Sequence, residues 1–464
     1  MSRAAAPAAP EDRDLPFTVA LALVALAPRL WVAIDWAHVP VWDGHYYHFG
    51  AQRILGGFGY SEDIVVDGVT KLRPWCHYPV GYSALLAGLY AIFGASARTA
   101  TIFGAVCGAA LAVATYRLAR PALGVARARV AGAVVALHPG LIAYTAVVMT
   151  EPLAALLLVL AAWGVHGARA GGVRIPLSGL VLGAATLVRP TSLLVGPLLG
   201  WLVQARWPRR LAVGAVVTAV ALVAVAPWTI RNCRVMDACA LVSTNGGWNL
   251  AIGALTETGR FTTLRAADGC LDVRGQVHQD RCWADRGWRT IREDPLRWLA
   301  LAPKKLGQTY DHQSFAVEYL RKAAPERWPE AKRVAGRQLM TAYHRALLVL
   351  AALGVVAWAA PRRDGWGAAI VQAALAVAVC AAGVHAFASD EHPFWPLPTL
   401  LPLVAALPLP GRPRVGPVLA WALGLLAITS ATHVVFFGDD RYHLIVTPAL
   451  ALLAAAAGRR PGGA

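Results

Sequence analysis

The sequence predicts an all-α protein that crosses a membrane many times. Of its 464 residues, 57% are hydrophobic and only 15% are charged, and the mean hydropathy is +0.50. Soluble domains carry about 25% charged residues, so this composition departs from theirs. The hydrophobic residues also come in blocks of about 20, the length that one transmembrane helix needs. Together these observations exclude an ordinary soluble domain.

The positive charge does not indicate a nucleic-acid partner. The net charge is +17, yet no basic stretch interleaved with aromatic residues forms a soluble domain. Most basic residues stand at the ends of apolar blocks, where they orient spans and contact anionic membrane lipids. Residues 1–14 are expected to form a cytoplasmic tail, and the first apolar block is expected to remain as an uncleaved anchor.

The apolar blocks predict about 11–13 transmembrane helices. The blocks are 15–34, 99–119, 130–148, 152–168, 175–189, 191–205, 211–228, 341–360, 366–388, 393–409, 415–436 and 444–457. A further block, 79–95, is short. The arginine-rich loop after the next span lies inside only if 79–95 is re-entrant or juxtamembrane, and a full span is the alternative. Arg189-Pro190 separates two spans because proline ends or kinks a helix.

The placement of charge predicts which segments lie outside. Basic turns, among them Arg362-Arg363 and Arg412/Arg414, mark the inside. The segments 35–78, 229–340 and 437–443 are then external. We therefore expect an N-terminal transmembrane catalytic module, 15–228, which includes the external loop 35–78. A long external region, 229–340, carries juxtamembrane helices, and C-terminal transmembrane helices fill 341–464.

Four cysteines of the long external region predict disulfide bonds. They are Cys233, Cys239, Cys270 and Cys282. Four cysteines in one region fit an oxidising compartment and one or two disulfides, most simply Cys270–Cys282. A zinc site is the alternative, and it is disfavoured because the spacings form no paired C-x-x-C units.

Ionisable side chains collect at the external ends of the predicted spans. They are Asp43, His77, Glu151, Arg189, Arg231, Glu391, His392, Asp440 and Arg441. Charges are costly within a bilayer, so their convergence on one side predicts a shared polar pocket. Carboxylates act as bases, whereas arginine and histidine bind phosphate, and this mixture suits transfer from a phosphate-linked donor.

Each of these residues also has a structural interpretation. Asp43 on its own would fit a capping residue, and Glu151 a first-turn acid favoured by the helix dipole. Arg231 would fit a boundary residue whose head reaches the interface, and histidines are more often hydrogen-bonded than metal-bound. The tyrosines of the first loop would fit an interfacial aromatic belt.

A series of short motifs along the chain resembles a known family. In order they are Asp43-Gly44-His45-Tyr46-Tyr47, Gly59-Tyr60, Tyr78-Pro79-Val80-Gly81-Tyr82, Met149-Thr150-Glu151-Pro152, Leu187-Val188-Arg189-Pro190, Pro227-Trp228-Thr229-Ile230-Arg231-Asn232, Asn245-Gly246-Gly247-Trp248-Asn249-Leu250 and Arg441-Tyr442. The ordered set resembles integral-membrane glycosyltransferases of the GT-C class. It is most similar to bacterial relatives of protein O-mannosyltransferases, aminoarabinose transferases and RgtA/B/C/D-like enzymes.

The resemblance implies a GT-C fold and an inverting glycosyltransferase. The enzyme would move a hexose or pentose from a polyprenyl-phosphate donor to a glycan, lipid or protein acceptor. Its site would face the periplasm or exterior of a bacterial cytoplasmic membrane. No cofactor is implied with certainty, and a divalent metal is compatible with the family. Asp43-Gly44 offers one acid where many relatives have two adjacent acids, so no metal ligand is assigned.

The resemblance also implies roles for single residues. Asp43 matches the first-loop acid that serves as base, and Glu151 matches the second-loop acid. Arg231 and His77, joined by Arg189, are expected to bind the donor phosphate. Substrate contacts are expected from Tyr46, Tyr47, His48, Tyr82, Asn245 and Arg441. Partial burial beside aromatic rings is expected to raise the pKa of Asp43.

A transporter or flippase for an anionic lipid or solute is the alternative function. Such a protein would place ionisable residues near the bilayer midplane, on broken helices arranged in repeats. In this sequence no fixed-period repeat is visible, and the charges gather at one surface.

Overall fold

The computed structural model describes residues 14–168, 172–359, 366–388, 393–406 and 415–457. Several positions used above lie outside these ranges: residues 1–13 of the predicted tail, Arg362, Arg363, Glu391, His392, Arg412 and Arg414.

The described residues form mainly α-helices. In chain order the elements are α1 (Leu15–Asp35), α2 (Trp42–Leu55), β1 (Ser61–Val66), β2 (Val69–Pro74), α3 (Val80–Phe93), α4 (Ala97–Leu123), α5 (Val125–Ala136), α6 (Pro139–Ala143), α7 (Glu151–Val165), α8 (Arg174–Val188), α9 (Gly196–Leu199), α10 (Trp207–Val235), α11 (Gly246–Leu255), α12 (Gln276–Glu293), α13 (Pro295–Ala300), α14 (Ala302–Tyr310), α15 (Phe315–Ala323), α16 (Glu330–Ala359), α17 (Trp366–Ala388), α18 (Pro396–Ala406), α19 (Pro417–Val435) and α20 (Thr447–Ala455). Short 3-10 turns occupy Tyr144–Ala146, Pro190–Val195, Gly200–Leu202, Ala266–Asp268 and Tyr442–Val446.

The predicted fold class, an all-α polytopic membrane protein, is confirmed. Within the described ranges, α1, α4, α10, α16 and α19 are each long and apolar enough to cross a membrane. A sixth span forms if α5 and the segment after it, which bends by 46°, are taken together. Shorter apolar helices complete the bundle, among them α3. At 14 residues, α3 is about 21 Å long, less than the roughly 30 Å of a hydrocarbon core.

Helices α7 and α20 form the interior of the bundle. Most of their side chains are buried, and they pack against α4, α8 and α16. The outer helices α1 and α10 instead expose apolar side chains such as Leu23, Trp31 and Val223. A membrane protein can leave such side chains exposed because lipid tails surround them. Burial therefore separates a protein-packed centre from lipid-facing helices.

The segment 35–78, which the sequence predicts to be external, has more regular structure than the sequence analysis expected. It contains α2 and an antiparallel hairpin in which Val66 pairs with Val69. Asp67 and Gly68 both have positive φ, which is the type I′ turn that Asp-Gly favours. Tertiary contacts fix the start of α2, because the Tyr319 hydroxyl accepts a hydrogen bond from the Val41 N–H at 3.0 Å.

The predicted disulfide Cys270–Cys282 is confirmed, and Cys233 pairs with Cys239. We expect alkylation of the denatured, unreduced protein to label only the free thiols Cys76, Cys107 and Cys380. Prior reduction should expose all seven, and intact-mass measurement counts the labels. Labelling of all seven cysteines without reductant would contradict both pairings. Loss of the Cys270–Cys282 bond should cost about 2–4 kcal/mol of stability.

Candidate functional site

A cavity of about 380 Å³ lies where the ends of several elements meet. Its wall comes from α2, the start of α7, the end of α8, α11 and the segment after α19. Seven predicted site residues line it: Asp43, Tyr47, His77, Glu151, Arg189, Asn245 and Arg441. Small-molecule sites typically enclose about 300–1,000 Å³, so this cavity can hold a sugar and a phosphate group.

Asp43 is held by two partners, one on each carboxylate oxygen. The Tyr78 hydroxyl donates to Oδ1 at 2.8 Å, and Nη1 of Arg441 donates to Oδ2 at 2.7 Å. Burial opposes ionisation of the carboxyl, but Arg441 and these hydrogen bonds outweigh it and lower the pKa of Asp43. The expectation of a raised pKa is therefore wrong. The physical reason is the nearby guanidinium, which favours the carboxylate.

Glu151 forms a second ion pair in the same cavity. It is the first residue of α7 and is fully buried. Nη1 of Arg189 donates to its Oε1 at 2.7 Å, and the Tyr144 hydroxyl donates to Oε2 at 2.7 Å. Nη1 of Arg189 also contacts the Thr150 hydroxyl at 3.2 Å. The site thus contains two carboxylates, each compensated by an arginine.

His77 lies in the cavity wall against the Trp248 ring, with the centroids 5.6 Å apart. Burial lowers its pKa, although Asp43 opposes this effect. His77 is therefore neutral at pH 7 and offers a hydrogen bond rather than a full charge.

The structure adds Asp439 to the residues near the site. Burial, opposed by Arg441, raises the pKa of Asp439 to about 6. Its Oδ1 accepts from the Arg441 backbone N–H at 3.1 Å, and its neighbour Asp440 accepts from the N–H groups of Ser314 and Phe315 at the start of α15. The adjacent acids in Gly438-Asp439-Asp440-Arg441 are the sequence feature that marks this turn.

Four predicted site residues do not line the cavity. Tyr46 stacks on Tyr78 with centroids 5.1 Å apart, and the Tyr82 ring packs on Tyr47 at 5.4 Å. His48 shares a 2.6 Å hydrogen bond with the Tyr90 hydroxyl. Tyr46 and Tyr82 thus contact residues of the lining, whereas His48 contacts Tyr90 of α3. Arg231 is the fourth.

Arg231, on α10, forms hydrogen bonds to the segment 35–78. Its Nη1 donates to the Trp75 carbonyl at 3.0 Å and its Nη2 to the Tyr60 carbonyl at 2.8 Å. Its role in binding phosphate stays a prediction, and these bonds give it a structural role. We expect Arg231→Ala to make the hairpin 61–74 more sensitive to protease, because both carbonyls lose the bond that ties them to α10. Limited proteolysis measures this. Arg234→Ala is the control, and equal cleavage of both variants would contradict the structural role.

A mainly apolar groove of about 90 Å³ joins the cavity at Arg189. It shares Arg189, Asn249 and Tyr442 with the cavity. Its wall further includes apolar side chains and the polar side chains of Ser192, Thr429, Thr432 and His433; the apolar ones are Leu158, Val195, Leu425, Ile428 and Phe436. This volume fits the start of a hydrocarbon tail next to a polar head, and not a whole polyprenyl chain. In the described ranges, no group of three or more His, Cys, Asp or Glu residues is arranged to hold a metal ion.

Residues 77–230 match the family model of dolichyl-phosphate-mannose-protein mannosyltransferase. The match contains three of the predicted site residues in the cavity wall, His77, Glu151 and Arg189. No curated protein matches the chain.

The chain also resembles solved membrane-enzyme structures at low identity. The archaeal oligosaccharyltransferase AglB from Archaeoglobus fulgidus, in complex with an inhibitory peptide and a dolichol-phosphate, is 13% identical, with a TM-score of 0.43 over 95% of this chain and 50% of that one. ArnT from Cupriavidus metallidurans, bound to undecaprenyl phosphate, is 15% identical, with a TM-score of 0.38 over 97% and 78%. The chain spans about half the length of the oligosaccharyltransferase. The resemblance to membrane glycosyltransferases that the motifs predict is confirmed, and residues 77–230 carry the family match.

Proposed function

We propose that the protein is a glycosyltransferase that moves a sugar from a polyprenyl-phosphate donor to an acceptor hydroxyl. The observation that carries the proposal is the cavity in which Asp43 and Glu151 each pair with an arginine, joined at Arg189 to an apolar groove. The family that residues 77–230 match supports the same chemistry. The acceptor is a glycan, a lipid or a protein.

Different parts of the donor bind in the groove and in the cavity. The start of the polyprenyl chain contacts the apolar side chains of the groove, where burial of hydrocarbon stabilises binding. The phosphate sits at the junction, beside Arg189 and within reach of His77, since a guanidinium offers several donors to phosphate oxygens. The sugar then projects towards Asp43, with Tyr47 and Asn245 in the wall around it.

Transfer proceeds with inversion in one displacement. The acceptor oxygen attacks the anomeric carbon as the bond from that carbon to the phosphate oxygen breaks. The acceptor proton passes to Asp43, and polyprenyl phosphate leaves. A lowered pKa keeps Asp43 ionised and ready to accept the proton, and Arg441 holds its orientation. A phosphate leaving group needs no strong general acid, so one carboxylate base is enough.

The proposal is tested with the purified full chain, a sugar-loaded polyprenyl-phosphate donor and membrane extract as acceptor source. We expect release of polyprenyl phosphate together with a product of inverted anomeric configuration, measured by mass spectrometry and NMR. A transporter would move the donor without breaking the glycosyl bond. Intact donor after prolonged incubation would overturn the proposal. Comparing extracts of a deletion strain with the wild type then identifies the missing glycan.

We place the site at the external face of a bacterial cytoplasmic membrane, and cysteine labelling tests this. In whole cells, a membrane-impermeant thiol reagent should label Asp67→Cys, because the hairpin turn lies in an external segment. The matched control Arg127→Cys follows α4 on the predicted inner side and should react only after lysis. Labelling of Arg127→Cys alone would reverse the assigned orientation.

A further inference from the structure

A second cavity of about 850 Å³ lies beside the first and opens to the surface. It is framed by the loop at Thr258–Arg260, α14, the segment at His312–Ser314, the first turns of α16 and Pro393–Trp395. Nothing in the proposed donor site uses it. Its size exceeds that of a phosphate or a single sugar, so it can accept part of a larger molecule.

Three cations line this cavity: Arg260, Lys304 and Arg337. No carboxylate in the described part of the chain pairs with Arg260 or Arg337, and Lys304 donates only to the Glu257 carbonyl at 3.1 Å. The carboxylates of the wall, by contrast, already have partners within the protein. Asp311 accepts the Phe394 and Trp395 N–H groups, each at 2.7 Å, and Glu318 pairs with Arg333.

The pKa of His312 reflects the nearby charges of the two arginines that line this cavity. Burial, followed by the charges of Arg337 and Arg260, lowers the pKa of His312 to about 4. A neutral imidazole and two guanidinium groups therefore face one cavity at pH 7, and an anion would satisfy all three.

A thin wall separates this cavity from the donor site. Trp42 lines the second cavity while its neighbour Asp43 lines the first. The Phe315 ring contacts residues of both cavities. Its centroid is 5.6 Å from that of Trp42 and 5.1 Å from the Arg441 guanidinium. The proposed base is therefore adjacent to the wall of the second cavity.

We propose that the second cavity binds the acceptor and selects acceptors that carry a phosphate group. Arg260 and Arg337 contact the anion, with Lys304 at the rim, and the acceptor hydroxyl reaches Asp43 past Trp42. The proposal rests on the proposed function, because the cavity is an acceptor site only if sugar is transferred at Asp43. The phosphate belongs either to a lipid headgroup or to a water-soluble molecule.

Binding of two probes to the purified full chain tests the anion site without any sugar transfer. The probes are glycerol 3-phosphate and dihexanoyl phosphatidic acid, titrated by calorimetry in neutral detergent. We expect Arg260→Gln/Arg337→Gln to weaken binding roughly a hundredfold, at about tenfold for each lost charged hydrogen bond. Both side chains are exposed, so the variant should fold. The matched control, Arg289→Gln/Arg292→Gln on α12, should bind as the wild type does.

The two probes also distinguish the sources of phosphate. Binding of phosphatidic acid alone assigns a lipid acceptor, and binding of both probes, or of glycerol 3-phosphate alone, assigns a site for the phosphate group itself. With donor and membrane extract, the double variant should raise the KM for acceptor and leave the KM for donor unchanged. The proposal is overturned if neither probe binds, if the double variant binds as tightly as the control, or if only the donor KM changes. Failure of the proposed function would appear separately, as intact donor with the wild type.

Discussion

Asp43→Asn should lower the turnover of sugar transfer at least roughly a hundredfold, the usual effect of losing a general base. The substitution keeps the shape of the side chain and its acceptor oxygen towards Arg441, but the amide cannot take a proton from the acceptor hydroxyl. Donor affinity should change little, since the phosphate is proposed to lie at Arg189. Single-turnover rates and donor binding, measured on the same preparation, check both statements.

Glu151→Gln is the companion variant for this experiment. It removes the other carboxylate of the cavity, while its amide oxygen still accepts from Arg189 and its NH2 group donates to the oxygen of Tyr144. We expect a milder loss of turnover, because Glu151 orients groups rather than taking the proton. If Asp43→Asn transfers sugar at the wild-type rate, Asp43 is not the base and Glu151 takes that role.

Arg189→Ala should remove both donor binding and stability. Glu151 is fully buried, and its compensating charge comes from Arg189 at 2.7 Å. Breaking a buried pair on one side typically costs about 3–5 kcal/mol, because an unpaired charge remains inside. Thermal unfolding in detergent measures the loss of stability, and titration with polyprenyl phosphate measures the loss of binding.

The double variant Arg189→Ala/Glu151→Gln separates these two effects. It leaves no uncompensated charge, so most of the stability should return, whereas donor binding should stay lost. Recovery of donor binding in the double variant would show that Arg189 acts only by neutralising Glu151. Equal stability of Arg189→Ala and the wild type would contradict the buried ion pair itself.

The sequence was most informative where one physical factor acts over many residues. Long apolar blocks predicted the spanning helices, because a bilayer demands about 20 such residues regardless of neighbours. Helix α2 was missed because Gly44, His45 and Gly50 give it weak helix propensity, and contacts with α15 stabilise it instead. The hairpin was detectable from Asp67-Gly68 between β-branched residues, but this turn was not recognised.

The site, like the fold, was predicted only in part. Ionisable residues at one end of the spans indicated which side chains would meet, and five of them line one cavity: Asp43, His77, Glu151, Arg189 and Arg441. Tyr47 and Asn245, which the family resemblance implied, line it too. The ion pairs could not be predicted, because charge patterns do not say which arginine neutralises which acid. The contacts of Arg231 could not be predicted either. It donates to the backbone carbonyls of Trp75 and Tyr60, and since every residue has a carbonyl, no residue type marks such a partner.

The contact between Asp43 and Arg441 joins residues 398 positions apart, and this has a consequence for biogenesis. Asp43 emerges from the ribosome early, whereas Arg441 lies between α19 and α20. A nascent chain therefore contains the acid long before it contains the guanidinium that favours the carboxylate. Under the proposed function, the base is neither charge-paired nor oriented until α19 and the segment after it join the site, and sugar transfer begins only then.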